Sequence, residues 1–262
     1  QLLRSRLDLF YNSNTNYTAF EAPSDHKICW EDILSEIIIK LERKNLSKLK
    51  VLEVGAGKTG FGRFLTDQGF RNSVEFHVQD VTNFNEKWLR GEADTVFFGD
   101  ILDCPILDCY DIIFSTYVLE HVSNPISHLN KLWTLMLPEA HLFLFSPRYD
   151  IPGYICPSAR YLPRKNQLIL GFKSLLMRFA SMFSNQPNFL IQTDLAAFYL
   201  PFFLDADAVH WVSFYDIKRW VINQNGCIKK LKIGTPVFLS KDWIVKRFCT
   251  LAVKISKKAG EY

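Results

Sequence analysis

The sequence predicts an α/β fold built around a doubly wound sheet, and three observations support this prediction. Residues 50–65 read as a short apolar strand, a glycine-rich turn and the start of a helix. Further short apolar segments, some ending at an acidic residue, alternate with stretches of helical periodicity. Two C-terminal segments alternate apolar and polar residues, as antiparallel strands do.

The glycine-rich turn is the first candidate binding site. It contains Gly55, Gly57 and Gly60. Its backbone N–H groups can approach a ligand closely, because no Cβ stands in the way and a helix begins beside them. A phosphate loop is excluded, because Leu52 occupies the position of the first glycine of that motif. A nicotinamide dinucleotide and S-adenosylmethionine remain as candidate ligands.

Periodicity assigns the elements around this turn. Amphipathic helices are predicted over Cys29–Arg43 and over Phe61–Gln68, the second ending at Gly69 in the left-handed conformation. Asn124 and Pro125 begin a third helix. The predicted strands that follow the first are Val74–Val78, Thr95–Phe98, the apolar run from Tyr110, and Leu142–Phe145.

The C-terminal part predicts one helix and two strands. Ser213 and Asp216 predict a capping box for a helix that runs to about Asn225 and is stopped by Gly226. The two strands are predicted over Cys227–Ile233 and Cys249–Ile255.

Two carboxylates follow neighbouring strands of the predicted sheet. Asp80 ends the second strand, where it can accept hydrogen bonds from both hydroxyls of a ribose. Asp100 follows the third strand and is expected on the adenine side, where a carboxylate accepts from an exocyclic amine. A helix N-cap is the alternative role for Asp100. Both candidate ligands contain adenosine, so Asp80 and Asp100 are consistent with either ligand and do not distinguish between them.

Composition and charge exclude other classes of protein. The chain of 262 residues is about half apolar, which suits one large domain. Its six cysteines form no C-x-x-C pair, so reduced thiols are expected and no metal site is predicted. The N-terminus lacks the apolar core of a signal peptide, and no apolar run reaches membrane-spanning length. A soluble, cytoplasmic protein is therefore expected.

The net charge of +4 is unevenly distributed. Basic residues dominate the C-terminal part, where they alternate with apolar residues as on the solvated face of a strand. Contact with an anionic lipid or a phosphorylated acceptor is the alternative interpretation. The residues concerned are Lys229, Lys230, Lys232, Lys241, Lys246, Arg247, Lys254, Lys257 and Lys258.

Several motifs occur in a recognisable order. They are V-L-E-V-G-A-G, the strand-end Asp80, F-F-G-D-I, Y-D-I-I-F-S-T-Y-V-L-E-H-V and L-P-E-A-H-L-F-L-F-S-P. Over residues 48–148 the chain resembles class I S-adenosylmethionine-dependent methyltransferases, in particular the small-molecule branch with E-H-V after the fourth strand. The resemblance implies a Rossmann-like, doubly wound, seven-stranded sheet with its last strand antiparallel. It also implies a lid inserted between the fifth strand and the next helix.

The same resemblance implies S-adenosylmethionine as cofactor and a role for each matching residue. Glu53 braces the loop and the methionine end of the cofactor, and Gly55 and Gly57 let the backbone approach it. Asp80 holds the ribose and Asp100 the adenine. Further cofactor-binding residues implied in this way are Ala56, Val81, Ile101, Ser115, Thr116 and Tyr117.

Two positions depart from the family pattern. Lys58 stands where small residues are usual, and Glu139-Ala140 replaces the usual Gly-Gly before the fifth strand. Neither position normally carries chemistry, so the departures weaken the inference about the substrate more than the inference about the cofactor.

A single methyltransferase domain over 1–262 is predicted in four parts. They are an N-terminal helical cover (1–47), the cofactor-binding core (48–148), a lid over the acceptor (149–210), and a C-terminal helix with an antiparallel strand pair (211–262). Within the lid, Leu168–Phe183 predicts a basic amphipathic helix. A dimer surface or a membrane-touching patch is the alternative to a lid. The aromatic residues expected to line the lid are Phe198, Tyr199, Phe202, Phe203, Trp211, Phe214 and Tyr215.

Methyl transfer from a sulfonium is an in-line displacement, so the protein must chiefly align the acceptor with the methyl group. A hydroxyl acceptor also needs a base, and histidine titrates in the useful range. His121, in the E-H-V motif, is the predicted base, and His210 is the second candidate. For each histidine, packing or capping is the alternative role.

The predicted reaction is O-methylation of a small-molecule, sugar or lipid-linked acceptor. The alternatives are a non-catalytic adenosyl-binding or scaffold protein and an NAD-type oxidoreductase. The aromatic lid and basic tail favour a bulky, partly apolar or anionic acceptor, and peripheral membrane contact stays open. Nucleic acid is disfavoured because S-T-Y-V stands where amino-methylating enzymes carry an N-P-P-Y-type signature.

Overall fold

The computed structural model describes residues 2–13, 24–44, 48–106, 108–151, 154–160, 162–192, 207–233, 240, 245 and 248–257. The helices are α1 (Leu2–Ser13), α2 (Ser24–Lys44), α3 (Phe61–Asp67), α4 (Glu86–Glu92), α5 (Pro125–Thr134), α6 (Arg164–Phe183) and α7 (Phe214–Asn223). The strands are β1 (Leu49–Val54), β2 (Val74–Asp80), β3 (Thr95–Phe98), β4 (Tyr110–Thr116), β5 (Met136–Pro147), β6 (Leu190–Ile191), β7 (His210–Trp211), β8 (Gly226–Lys230) and β9 (Thr250–Lys257).

Seven strands form one sheet in the order β3-β2-β1-β4-β5-β9-β8. Strands β1 to β5 pair in parallel, and β9 lies antiparallel between β5 and β8. This arrangement confirms the predicted Rossmann-like sheet with its last strand antiparallel. The two short strands β6 and β7 form a separate antiparallel pair.

Helices cover both faces of the sheet, which explains why its central strands are apolar along their whole length. Every residue of β4 is buried. On one face β1 and β4 pack with α2 and α3 around Ile33, Phe61 and Phe114. On the other face they pack with α5 and α7 around Leu132 and Trp220.

One predicted helix cap is wrong. The helix α7 forms, but the Ser213 side chain makes no capping hydrogen bond. The Asp216 carboxylate instead accepts hydrogen bonds from Ser181 Oγ and Asn188 N, each at 2.9 Å. It therefore ties α7 to α6 and to the segment after it. The left-handed residue after α7 is Asn225 (φ 55°), while Gly226 already begins β8.

Lys58 and Glu139, which depart from the family pattern, both make local contacts in the structure. The Lys58 ammonium lies 4.8 Å from the centre of the Trp88 ring. Glu139 adopts a left-handed conformation (φ 62°), and Lys40 Nζ donates a 2.6 Å hydrogen bond to its carbonyl oxygen. Contacts in the fold thus accommodate the residues that replace small ones.

The structure describes all six cysteines but only some of the aromatic residues predicted to line the lid. All six cysteines are free thiols, as expected. Trp211 and Phe214 pack in or against the apolar core. Phe198, Tyr199, Phe202 and Phe203 lie outside the described residues.

A buried carboxylate joins α2 to two neighbouring strands of the sheet, β5 and β9. Glu36 Oε1 lies 2.7 Å from His141 Nδ1 on β5, and Oε2 lies 2.8 Å from Lys254 Nζ on β9. Burial acts to raise the pKa of this carboxyl, but hydrogen bonds from His141 and Lys254 lower it to about 2. Because the folded-state pKa is depressed, the stabilisation is present above the ordinary value of 4.5 and is lost as the pH falls toward 2.

We expect Glu36→Gln to lower the free energy of unfolding at pH 7 by about 2 kcal/mol. The difference from the unmodified chain should shrink between pH 5 and pH 2, and urea unfolding across that range measures it. Glu42→Gln, at an exposed position of the same helix, is the control. A pH-independent difference for Glu36→Gln would contradict the assigned ion pairs.

Candidate functional site

A cavity of about 400 Å³ lies at the carboxyl ends of the central strands. Parallel sheets of this kind bind their ligands at that edge. The cavity is closed on one side by α1, which supplies five of its residues. The lining residues are Leu3, Arg4, Leu7, Asp8, Tyr11, Val54, Gly55, Gln79, Val81, Asp100, Ile101, Leu102, Val118, His121, Val122, Ser123, Asn124 and His128.

The glycine-rich turn follows β1 directly and borders this cavity. Gly55 (φ 70°) and Gly57 (φ 55°) both adopt left-handed conformations that side chains disfavour. A Cβ at Gly55 would lie 2.3 Å from Val118 Cγ2, so the turn and the segment after β4 approach each other closely. A Cβ at Gly57 would meet nothing within 4 Å, so open space faces the turn there.

Asp80 holds the turn in place. Its Oδ2 accepts a 2.6 Å hydrogen bond from Gly57 N, and its Oδ1 accepts one of 2.9 Å from Thr82 N. Burial raises the pKa of Asp80, and the bonds from Thr82 and Gly57 oppose that shift. The structure therefore brings the strand-end carboxylate and the turn together, as their positions in the sequence predict.

Gln79 connects three strand ends. Its backbone oxygen accepts from Gly55 N at 2.8 Å and from Ala56 N at 3.0 Å. Its side-chain amide donates to Gly99 O at 2.5 Å, beyond β3. Gln79 lines the cavity and links the turn after β1 to the segment after β3, a role that the sequence does not predict.

Asp100 lines the cavity beyond the end of β3. Its Oδ1 accepts a 2.9 Å hydrogen bond from Leu102 N, as a residue that caps a turn would. Its Oδ2 lies 2.9 Å from Arg4 Nε on α1, and the same guanidinium also contacts Asp103. Asp100 therefore stabilises the turn after β3 through a hydrogen bond and holds α1 against the cavity through an ion pair.

Several buried polar atoms near the turn lack hydrogen-bond partners within the described part of the chain. They are Glu53 Oε2, Ser115 Oγ and Thr116 Oγ1. Burial raises the pKa of the Glu53 carboxyl to about 8, and the nearby carboxylates of Asp80 and Glu92 act in the same direction. Buried polar groups normally have partners, so these atoms are suited to contact a polar ligand. The residues present fit a cofactor that carries an amino group.

The segment after β4 leads into the cavity through a strained residue. Tyr117 has a φ of 58°, which costs an aromatic residue about 1 kcal/mol or more. Its N–H donates to Phe145 O at 2.8 Å, which fixes the bend. Val118 and His121 consequently point to the cavity that Gly55 borders.

His121 belongs to a polar cluster on the cavity wall. Its Nδ1 lies 2.9 Å from Oδ2 of Asp207, whose side chain is fully buried. Tyr11 of α1 donates a 2.6 Å hydrogen bond to the same Asp207 oxygen. On the other side, His121 Nε2 lies 3.9 Å from Glu120 Oε1.

The other histidine candidate occupies a different environment. His210 is fully buried on β7, and its Nδ1 lies 2.8 Å from Leu119 O. Burial lowers its pKa to about 4. His121 lines the cavity, whereas His210 is not among the cavity-lining residues. Its visible role is to attach β7 to the turn that carries His121.

A possible metal-ligand group lies elsewhere in the fold. Glu75, His77 and Asp108 bring one ligand atom each close together. Lys50 Nζ lies 3.5 Å from the Glu75 carboxylate and 3.3 Å from that of Asp108. The Lys50 ammonium already pairs with both acids and offsets part of their negative charge, so we assign no metal to the group.

Solved structures with a similar fold include two methyltransferases. The CurJ carbon methyltransferase is 16% identical at a TM-score of 0.53, and the match covers 94% of this chain and 58% of that one. The plantazolicin methyltransferase BpumL, solved with SAH, is 12% identical at a TM-score of 0.52, covering 97% and 88%. A match to coclaurine N-methyltransferase has a TM-score of only 0.34 and spans 35% of that chain. These identities establish similarity of fold alone.

No curated protein matches this sequence. A family model described as a methyltransferase domain matches residues 29–186, which is more than half of the chain. The match includes the glycine-rich turn, both strand-end carboxylates and His121, and it decides between the two ligands that the turn left open. The chain belongs to the methyltransferase-domain family, which confirms the predicted class I S-adenosylmethionine-dependent methyltransferase with S-adenosylmethionine as its cofactor.

Proposed function

We propose that this protein methylates a hydroxyl group of a small-molecule, sugar or lipid-linked acceptor, with His121 as the base. The observation that carries the proposal is the pairing of His121 with the buried Asp207 carboxylate at the wall of the cavity. A histidine placed between a buried carboxylate and a cavity is suited to remove a proton from a bound hydroxyl.

The cofactor supplies a methyl group on a sulfonium, which is already activated for displacement. Gly55, Ala56 and Gly57 would let the backbone of the turn approach the cofactor closely while their N–H groups stay bonded to Gln79 and Asp80, and Glu53 would face its amino group. Asp80 and Val81 would hold the ribose, and Asp100 with Ile101 the adenine. The remaining partners would be Ser115, Thr116 and Tyr117.

The acceptor's proton would leave through His121. If Asp207 accepts from Nδ1–H, the proton on that nitrogen is fixed and Nε2 becomes the basic nitrogen. Tyr11 donates to the same carboxylate oxygen and so steadies its position. Exclusion of water by α1 would strengthen each of these electrostatic contacts. His210 would act only by supporting the turn at Leu119.

Calorimetry with S-adenosylhomocysteine and with NADH tests the ligand class. We expect saturable binding of the first and none of the second. Methyl transfer from labelled S-adenosylmethionine to a panel of sugars, phenols, lipid-linked glycans and carboxylic acids then tests the reaction. Tight cofactor binding without transfer to any member would favour a non-catalytic adenosyl-binding protein, and transfer to the acids alone would remove the need for a base.

Glu53 should make cofactor binding depend on pH. Its carboxyl, with a pKa of about 8 in the free protein, is largely protonated at pH 7. A cationic amino group beside it favours the ionised form, so binding should release a proton. We expect the affinity for S-adenosylhomocysteine to rise by up to tenfold per pH unit from pH 6 to 8. It should then level off.

Titrations in two buffers of different ionisation enthalpy measure the proton released. Glu53→Gln should bind more weakly and without this dependence, while Glu42→Gln on α2 should behave as the unmodified protein. Binding heats that do not depend on the buffer would exclude Glu53 as the partner of the amino group.

A further inference from the structure

The helix α6 turns its apolar side toward solvent. Eight large apolar side chains are between 48% and 74% exposed along its 20 residues. Surface helices normally show the reverse pattern, and patches of this kind mark interaction sites. The exposed residues, here called the α6 outer face, are Leu168, Ile169, Phe172, Leu175, Leu176, Phe179, Met182 and Phe183.

The opposite side of α6 is fixed to the protein. Leu170 and Met177 pack against the cluster that contains Tyr149 and Trp211. Ser181 is buried and donates a 2.9 Å hydrogen bond to Asp216 on α7. The helix cannot rotate to bury the outer face without breaking these contacts. The exposure is therefore a property of the fold.

The charged residues of α6 are all basic. Four cationic side chains and no acidic one occur between residues 164 and 183. On a helical projection Lys173 and Arg178 border the outer face, one on each side. Long basic side chains at such borders can extend their charges past an apolar surface. The charged residues are Arg164, Lys165, Lys173 and Arg178.

We propose that the α6 outer face lies on an anionic phospholipid surface. Its apolar side chains would enter the boundary between headgroups and acyl chains, and its basic residues would face the lipid phosphates. No helix among the described residues is long and apolar enough to span a membrane, so this contact is peripheral. The proposal is independent of which acceptor is methylated.

A second copy of the chain suits the surface less well. The outer face covers about 140° of the helix circumference, wider than the narrow seam of a paired coiled coil. Two such helices side by side would also bring eight cationic side chains together, with no acid on either helix to neutralise them. Anionic lipid supplies the missing negative charge.

Cosedimentation with extruded vesicles tests the proposal. The assay compares pure phosphatidylcholine vesicles with vesicles that also contain about 30% phosphatidylglycerol, an anionic lipid. We expect the protein to partition at least tenfold more strongly into the anionic vesicles, because each basic residue near the surface strengthens binding by about fivefold. Salt at 0.5 M should weaken it. Phe172→Ser combined with Phe179→Ser should lower the partitioning at least tenfold. Ile39→Ser, which removes a partly exposed apolar side chain of α2, should leave it unchanged.

Circular dichroism and calorimetry with S-adenosylhomocysteine on the same variants establish that the fold and the cofactor site persist. Equal partitioning of the double phenylalanine variant and the unmodified chain would overturn the proposal, as would failure of the unmodified chain to bind anionic vesicles. So would a dimer, detected by light scattering without lipid, that the double variant abolishes.

Discussion

Gly55→Ala is expected to weaken binding of S-adenosylhomocysteine by about 5- to 150-fold, the equivalent of about 1–3 kcal/mol of overpacking. The new Cβ would lie 2.3 Å from Val118 Cγ2, far inside van der Waals contact, and valine has little rotamer freedom with which to move away. Either the turn or the segment after β4 must shift. Both border the cavity, so either shift deforms the cofactor site. Isothermal titration measures the loss.

Two further variants separate this clash from the cost of the backbone conformation. Gly69→Ala also places a side chain at a positive φ (79°) but meets nothing within 4 Å, so it should cost stability and spare binding. Val118→Ala in combination with Gly55→Ala removes the methyl groups that collide and should recover most of the affinity. If the double variant binds no better than Gly55→Ala, the clash is not the cause.

The sequence was sufficient for the sheet and for the part of the site that lies on strand ends. β1 and β2 are adjacent and parallel, so the turn after Val54 and the carboxylate at Asp80 had to meet. The observed hydrogen bond from Gly57 N to Asp80 is a direct consequence of that topology. Local turn chemistry also sufficed for α5, where the Asn124 side chain accepts from Ser127 N.

The contacts that close the site could not be predicted, because they join segments far apart in the chain. Arg4 reaches Asp100, and Tyr11 reaches Asp207, across about 100 and 200 residues respectively. No local pattern in a short helix encodes such partners. The charges near the N-terminus were visible in the sequence, but their target depended on where α1 docks. The failed capping box has the same origin, since Asp216 bonds Ser181 instead of its own helix.

His121→Gln is expected to lower the rate of methyl transfer to a hydroxyl acceptor by about 10²- to 10⁴-fold, the usual contribution of a general base. Glutamine keeps a polar side chain next to Asp207 but cannot take up a proton. Binding of S-adenosylhomocysteine should change less than twofold, because the cradle for the cofactor is formed by the turn and the strand-end carboxylates. Single-turnover transfer assays and calorimetry on the same preparation measure the two quantities.

Asp207→Asn distinguishes an orienting carboxylate from a merely structural one. An asparagine in place of the carboxylate can hold the imidazole in the wrong tautomer and no longer stabilises its cation. The rate should therefore fall, and its rise with pH should shift to lower pH, because the pKa of the histidine falls when the neighbouring negative charge is lost. Tyr11→Phe removes only the hydrogen bond to Asp207 and keeps its negative charge, so it should lower the rate by a smaller factor and should not shift the pH profile to lower pH. His210→Gln, at the buried rival position, should lower stability without altering the pH profile. If His210→Gln abolishes transfer while His121→Gln leaves it intact, the base is the buried histidine and the cavity-wall assignment fails.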